Sequence, residues 1–334
     1  MKRYLYVLAV LSLLTSLASA TGMSFRGQAT VVNATVLGSN AKVSDTGSLG
    51  ASGGARSTAL VTFHNTLGVV SGSVAGASTT GFGNKTVSQA SVADLELNVG
   101  GNLINAKLLA SYAQALNTGG VPATSGNSVI LGLTVNGKAI IVSGAPNQKI
   151  ALPNGYVIIN QHWHSDAASI TVIALRVVVN GTADVLISRA NAGVGPCTSC
   201  VPGTCSGTPN CSNPSDFVIG SASFKLSSTA RANLDLSVGN NNGTKGGNLV
   251  FVDAAANVTA KVTAITRYDV VSATKRHIEA LAEVNGQANV KLTLDVTDNG
   301  TPDNLDYVSL KLATGYSLSA NVNAGFLQVH KACN

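Results

Sequence analysis

The 334-residue sequence is poor in charge and in aromatic side chains, with 11% charged and 4% aromatic residues. Lys and Arg outnumber Asp and Glu by 21 to 15, but the basic residues are scattered. They form no run and no stripe interleaved with aromatics, which is the pattern that a nucleic-acid-binding surface requires. The composition therefore predicts a protein with no nucleic-acid partner.

The sequence motifs of several enzyme classes are also missing. It has no Gly-x-Ser-x-Gly elbow, and its many Ser and Thr residues have no nearby His–carboxylate pairing. No Gly-rich loop leads from a strand into a helix, where it would hold a phosphate. No pair of acidic residues marks a glycosidase, although such carboxylates need only be close in space. We therefore predict a protein that is not an enzyme and requires no cofactor.

Long apolar runs are absent except at the amino end. There Met1-Lys2-Arg3 precedes the apolar residues 4–17, and Ala18-Ser19-Ala20 follows them. This pattern is typical of a secretory signal peptide, and the apolar run is too short to span a membrane. We predict a signal peptide over residues 1–20, a secreted or cell-surface location, and no membrane-spanning segment after cleavage. A retained amino-terminal anchor is the alternative.

Small and β-branched residues that alternate with polar ones dominate the rest of the chain. Residues 168–179, 229–238 and 288–296 alternate with a period of two, which predicts strands. Asn-Gly pairs lie between such runs at 136–137, 180–181 and 285–286. Asn and Gly tolerate the positive φ that two-residue type I′ turns need, so each pair predicts a hairpin. The pattern predicts an all-β fold of mainly antiparallel strands.

One segment gives an ambiguous pattern. Residues 104–116 place Ile104, Leu108, Tyr112 and Leu116 four apart among good helix formers, which predicts a helix on local grounds. The neighbouring sequences on both sides predict strands.

Residues 193–215 break the composition and predict a Cys/Pro/Gly-rich linker. It would join two β-sandwich-like domains, residues 21–192 and 216–334. In an exported chain, disulfides are favoured over a zinc site, because the cysteines do not form a second Cys-x-x-Cys. The disulfide candidates are Cys197, Cys200, Cys205, Cys211 and the carboxy-terminal Cys333, which pairs with the linker or stays free for an intermolecular bond.

The first predicted domain contains the segments SVADLELNVGGNLINAKLLASYA, LTVNGKAI, ALPNGYVIINQ and SITVIALRVVVNGTADVLISRANAGV. Through these segments it resembles the choice-of-anchor P family of secreted bacterial surface proteins. The second predicted domain contains DFVIGSASF, GNLVFVD and the final GFLQVHK, and through them it resembles the post-COAP-1 domain that often follows. The resemblance implies an exported, all-β, surface-associated protein, and it favours a strand over residues 104–116. It implies no catalytic residues.

The segment Asn-Gln-His-Trp-His-Ser-Asp at 160–166 contains the only tryptophan. In an extended strand His162 and His164 would share one face, and Asp166 could add a carboxylate for a metal ion. A catalytic Zn or Cu site needs a third ligand, which no companion motif supplies. The alternatives are a polar hairpin end, or a small sugar site in which Tyr156 and Trp163 would offer flat rings.

A second candidate metal site is the acidic stretch DVTDNGTPDNLD. Carboxylates around a Gly turn suit Ca²⁺, although the spacing does not fit an EF-hand loop. A solvated turn is the alternative. The candidate ligands are Asp295, Asp298, Asp303 and Asp306.

Together these patterns predict a non-catalytic, secreted or cell-surface structural or adhesive module. Its partners would be cell-envelope or extracellular-matrix components, glycans among them, and long flat strands of small residues would also allow self-association. A carbohydrate-binding module is the second hypothesis. A small Zn or Cu metalloenzyme that uses His162 and His164 is the third.

Overall fold

A computed structural model describes residues 22–196, 216–228, 230–241, 243–300 and 306–330. Its regular structure is antiparallel β throughout these residues, which confirms the all-β prediction. They include no helix long and apolar enough to cross a membrane. The predicted signal peptide, the five cysteines and Asp303 lie outside the described residues.

The strands form three sheets. In chain order the strands are β1 Met23–Val36, β2 Ser39–Asp45, β3 Gly54–Thr66, β4 Val70–Phe82, β5 Lys85–Val99, β6 Asn102–Thr118, β7 Val121–Leu131, β8 Thr134–Val135, β9 Lys138–Ala139, β10 Gln148–Leu152, β11 Gly155–Trp163, β12 Ser169–Val179, β13 Ala183–Pro196, β14 Asp216–Lys225, β15 Arg231–Asn241, β16 Thr244–Asp253, β17 Val258–Val270, β18 Lys275–Val284, β19 Gln287–Thr297, β20 Tyr307–Leu312, β21 Ser317–Asn321 and β22 Ala324–His330.

The outer sheet has the order β10-β11-β12-β13-β1-β2. The middle sheet has the order β3-β4-β5-β6-β8-β9, and β7 also pairs with β6. The curled sheet has the order β21-β20-β19-β18-β17-β16-β15-β14-β22.

The outer and middle sheets pack face to face around a core of Val, Leu, Ile and Ala. Leu175 of the outer sheet and Leu97 of the middle sheet are fully buried in it. Burying such side chains stabilises the fold by about 1.5–3 kcal/mol each. This part of the chain has the sandwich-like packing expected from its alternating strands.

The curled sheet encloses a second core of its own. The inward residues of β14–β22 alternate with outward polar residues, and Phe224, Phe251 and Leu294 are fully buried inside the curve. A single nine-stranded sheet thus achieves sandwich-like burial by bending around its apolar face.

The centre of the middle sheet is covered on both faces. Every residue of 74–81 in β4 and of 86–93 in β5 is buried, and these segments consist mostly of Ala, Ser, Thr, Gly and Val. The outer sheet covers one face, and strands β15 and β16 of the curled sheet cover the other. The described chain is therefore a stack of three β layers.

Local details agree with the sequence expectations at some places and differ from them at others. Residues 104–116 lie within β6, so the local helix prediction is wrong and the strand is correct, because pairing with β5 and β7 overrides local propensity. The turns 136–137 and 285–286 have positive φ at both residues, as predicted. At the third Asn-Gly, only Gly181 has positive φ, and three residues connect β12 to β13.

The end of β13 also differs. Residues 193–196, assigned to the linker from composition, continue this strand and pair with the start of β1 as far as Met23. The first folded region therefore extends beyond residue 192, because backbone pairing does not require apolar side chains.

Candidate functional site

Asn160 organises the hairpin end that the sequence singles out. It lies in β11 with a φ of 51° and is almost fully buried. Its Nδ2 donates to the Gly144 carbonyl at 3.0 Å, and its Oδ1 accepts from Ser128 Oγ at 2.8 Å. Asn147 reaches the same place, since its backbone N–H donates to the Asn160 carbonyl at 2.8 Å. Asn160 thus ties a loop and strand β7 to the end of β11.

His162 belongs to the same network. Its Nε2 lies 2.9 Å from Asn160 Oδ1, and its backbone N–H donates to Asn147 Oδ1 at 3.1 Å. Because a carbonyl oxygen only accepts, Nε2 carries the proton and donates. Only Nδ1 then retains a lone pair for a metal ion.

His162 lies close enough to His164 to be affected by it. Burial and, second, the neighbouring His164 lower the pKa of His162. Both causes favour the neutral ring, since burial and a like charge disfavour the imidazolium. His164 itself is exposed just beyond the end of β11.

Asp166 is engaged elsewhere. Its carboxylate accepts from Arg26 Nη1 at 2.7 Å and from the backbone N–H of Ala168 at 2.9 Å. The hydrogen bond from Arg26 is the main cause that lowers its pKa. Asp166 therefore closes the β11–β12 turn and ties it to β1.

The two aromatic candidates for a sugar site lie apart. Tyr156 and Trp163 are on the same strand, seven residues or about 23 Å from each other at ~3.3 Å per residue. Lys149 Nζ lies 4.1 Å from the centre of the Tyr156 ring, whereas Trp163 is 59% exposed at the far end of the strand. The structure does not bring these rings together into one site.

The Asp side chains of the acidic stretch form hydrogen bonds with backbone N–H groups and with a neighbouring histidine. Asp298 accepts backbone N–H groups from Gly300 and Val329, each at 2.9 Å. Asp306 is fully buried and accepts from the Asn299 N–H at 2.8 Å, while Asp295 lies 2.9 Å from His277 Nδ1. Calcium binding here stays a prediction. Within the described ranges, no three His, Cys, Asp or Glu side chains are grouped so that they could hold a metal ion.

Sequence reasoning missed a polar seam between the middle and curled sheets. We define the polar seam as the outward residues of β15 and the middle-sheet residues that they face. Residues Arg231, Asn233, Asp235 and Ser237 alternate with the apolar residues that point into the curled core. Their period of two shows that they share one face of the strand, but a polar face is usually taken to be exposed to solvent.

Asp235 is the centre of the polar seam. Ser91 Oγ of β5 donates to its Oδ2 at 2.5 Å, and its carboxyl group rests on Gly76 of β4. A Cβ at Gly76 would lie 1.8 Å from Asp235 Oδ1, so only glycine fits. Burial raises the pKa of Asp235 to about 7, against the opposing effect of the Ser91 hydrogen bond.

Further contacts complete the junction of the middle and curled sheets. Gln89 Nε2 donates to the Leu236 carbonyl at 3.3 Å, and Asn248 Nδ2 donates to Ser57 Oγ at 2.8 Å. Phe82 and Phe217 meet with ring centres 6.1 Å apart beside a cleft of ≈ 310 Å³.

The start of the curled sheet is anchored by a buried ion pair. Arg276 is fully buried, and its Nη2 donates to Asp216 Oδ2 at 2.7 Å. Tyr268 OH donates to Asp216 Oδ1 at 2.6 Å, and burial together with this bond raises the pKa of Tyr268. These two contacts hold Asp216, the first residue of β14, against β17 and β18, and their role is structural.

Comparisons with protein-family models, curated proteins and solved structures found no match for this chain. The resemblance to the choice-of-anchor P family stays a prediction.

Proposed function

We propose that the chain is a secreted or cell-surface, non-catalytic module with a structural or adhesive role. The observation that carries this proposal is the stack of three β layers, in which both faces of the central strands β4 and β5 of the middle sheet are buried over residues 74–81 and 86–93. Strands that are paired on both sides and buried on both faces belong to the stable parts of a fold, which suits a rigid element that bears load or presents a surface.

The polar groups of the hairpin end support the same proposal. Hydrogen bonds to loops and neighbouring strands engage Asn160, His162 and Asp166. A catalytic group needs an atom directed at a reacting molecule. These side chains instead serve the connections between strands.

The test is a pair of measurements on the purified chain after secretion. Beads coated with the protein should bind cell-envelope fragments or matrix, and the His162→Ala/His164→Ala variant should bind equally well. Metal analysis of the same samples provides the opposing outcome. One Zn or Cu per chain, lost in the double variant, would overturn the non-catalytic proposal in favour of the metalloenzyme.

Carbohydrate binding is a second candidate because the Trp163 ring is largely exposed at the end of β11. A flat exposed ring can pack on the C–H face of a sugar. Trp163→Ala should then abolish binding on a glycan array, with Val121→Ala, also an exposed apolar residue, as the matched control. Unchanged array binding in Trp163→Ala would exclude Trp163 as the contact.

A further inference from the structure

The curled sheet has a core that is separate from the core of the other two sheets. The core between the outer and middle sheets takes its residues from 29–187, and the core inside the curled sheet takes its residues from 218–327. Within the described part of the chain, no strand pairing joins the middle sheet to the curled sheet. Each unit would therefore keep its core and its backbone pairing if the polar seam between them opened.

The apolar contact across the junction is small. It consists of Ala59, Val74 and Ala93 of the middle sheet with Val250 of the curled sheet. Ala and Val bury less apolar surface than the Leu, Ile and Phe residues that fill the two large cores. A mixed polar and apolar contact between two units of one chain resembles a dissociable protein–protein interface.

The polar seam also buries polar atoms without pairing them. Ser78 Oγ, Gln89 Oε1 and Asn233 Oδ1 have no hydrogen-bond partner among the residues that the structure describes. Ser78 and Gln89 are opposite each other in β4 and β5, and the Nε2 of Gln89 donates to β15. Water would pair with these atoms in an open seam, so their burial opposes docking of the curled sheet.

Asp235 makes the docking depend on protonation. Its buried carboxyl group rests on Gly76 and accepts from Ser91 Oγ. A neutral carboxyl group can stay in this dry position, whereas a carboxylate would lose its hydration there. Burial raises the pKa of Asp235 to about 7, and an open seam would return the group to water, where its ordinary pKa is 3.8.

Among the described residues, no cation faces Asp235 to stabilise its ionised form. Its neighbours in the adjacent strands are Ser221 of β14 and Val250 of β16, and the charged residues of these two strands lie near the strand ends. Strand β4 contains no charged residue, and the charged residue of β5 nearest to Ser91 along the strand is Asp94, a second acid. On β15 itself Arg231 lies four residues away, or about 13 Å along the strand.

We propose that the curled sheet docks on the middle sheet reversibly, with its own core intact, and that ionisation of Asp235 opens the polar seam. Between about pH 4 and about pH 7 the docked form keeps a proton that the open form loses. The equilibrium constant for opening therefore rises about tenfold per pH unit in this range and is constant above it.

This inference adds regulation to the proposed module, whose rigid three-layer stack is the docked form. Its failure would leave the proposed structural or adhesive role in place, because a stack that never opens is equally rigid.

The experiment is a urea titration of the full chain, followed by small-angle X-ray scattering and by far-ultraviolet circular dichroism. A first transition should increase the radius of gyration while the strand signal stays unchanged. Its midpoint should fall as the pH rises from about 4 to about 7 and should then stay constant. A single transition at every pH, in which both signals change together, would overturn the proposal, as would a first midpoint that does not depend on pH.

Variants test whether Asp235 is the responsible group. Asp235→Asn should make the first midpoint independent of pH, because an amide does not ionise in this range. Asp269→Asn is the matched control, since it makes the same change on β17 of the curled sheet, outside the polar seam, and should keep the wild-type pH dependence. Gly76→Ala should lower the first midpoint at every pH, because its methyl group overlaps Asp235. A pH dependence that persists in Asp235→Asn, or a wild-type midpoint in Gly76→Ala, would contradict the proposal.

Discussion

The two faces of the middle sheet are built by different chemistry. Toward the outer sheet, β5 presents Ala90 and Val92 to an apolar core that contains Leu97 and Leu175. Toward the curled sheet, the same strand presents Gln89 and Ser91, which donate hydrogen bonds across the layer. One strand therefore serves an apolar core and a polar seam by alternation alone.

The difference teaches how the three layers can stack. An apolar interface tolerates varied packing as long as volume is filled, whereas a polar interface needs each group to meet its partner. Small residues at the seam, above all Gly76, allow the carboxyl group of Asp235 to fit between the sheets. We expect substitutions on the two faces to destabilise the fold for different physical reasons.

The largest effect is expected on the apolar face. Leu175→Ala should lower the free energy of unfolding by about 2–5 kcal/mol, because it removes fully buried methyl groups and leaves a cavity. Leu103→Ala is the matched control, since Leu103 is 39% exposed and its truncation should cost far less. Urea unfolding of both variants measures the difference, and equal losses would contradict the position of the apolar core.

On the polar seam, Gly76→Ala should destabilise the fold by about 1–3 kcal/mol, because the added methyl group overlaps Asp235. Gly246→Ala provides the control. This glycine has open space around its Cβ position and no positive φ, so the substitution should be neutral or slightly stabilising. Thermal unfolding compares them, and a neutral Gly76→Ala would mean that the sheets do not meet there.

The stability of the polar seam should also depend on pH through Asp235. Burial raises the pKa of Asp235 from 3.8 to about 7, so between these pH values the folded chain keeps a proton that the unfolded chain loses. The contribution of Asp235 to the free energy of unfolding is therefore fully present below about pH 4 and is lost as pH rises through about 7.

Asp235→Asn removes this dependence. At pH 8 the variant should be more stable than the wild type by roughly 1–3 kcal/mol, since it buries no charge. The difference should shrink toward pH 4, as measured by chemical unfolding across this range. A constant difference between the two proteins would contradict the raised pKa.

The smallest expected effect concerns a single hydrogen bond at the rim of the junction. Asn248→Ala should cost about 0.5–1.5 kcal/mol, because Asn248 donates to Ser57 in a partly buried position. Ser57→Ala should cost a similar amount, and the double variant should cost less than the sum of the two. Additive losses in unfolding experiments would show that the two side chains do not interact.

Much of the fold follows from the period of two and the Asn-Gly turns. The sequence pattern predicted strands such as 168–179, which corresponds closely to β12, and two hairpins with positive φ at both turn residues. It misassigned residues 104–116 on local grounds, because helical spacing and strand alternation coincide in a run of small apolar residues. Residues 104–116 form a strand because β6 pairs with β5 on one side and β7 on the other, and the local sequence pattern does not contain this information.

The polar seam could not be predicted for a physical reason. In the segment RANLDLSV, alternating polar residues indicate an exposed face, and only the third layer converts that face into an interface. The histidines of 160–166 attracted attention as rare residues, yet Asn160 and Asn147 hold the hairpin end. Asparagine is common in this sequence, so its frequency gave no reason to single out these two.

The most direct test of the three-layer account is a double-mutant cycle between Gly76 and Asp235. Asp235→Ala removes the carboxyl group that meets the new methyl group, so the Gly76→Ala/Asp235→Ala variant should recover part of the lost stability. The account predicts a coupling of about 0.5–3 kcal/mol in unfolding free energy, and no comparable recovery with Asp235→Asn, which keeps the clash. Additive single effects, within about 0.5 kcal/mol, would show that the curled sheet does not rest on the middle sheet at this point.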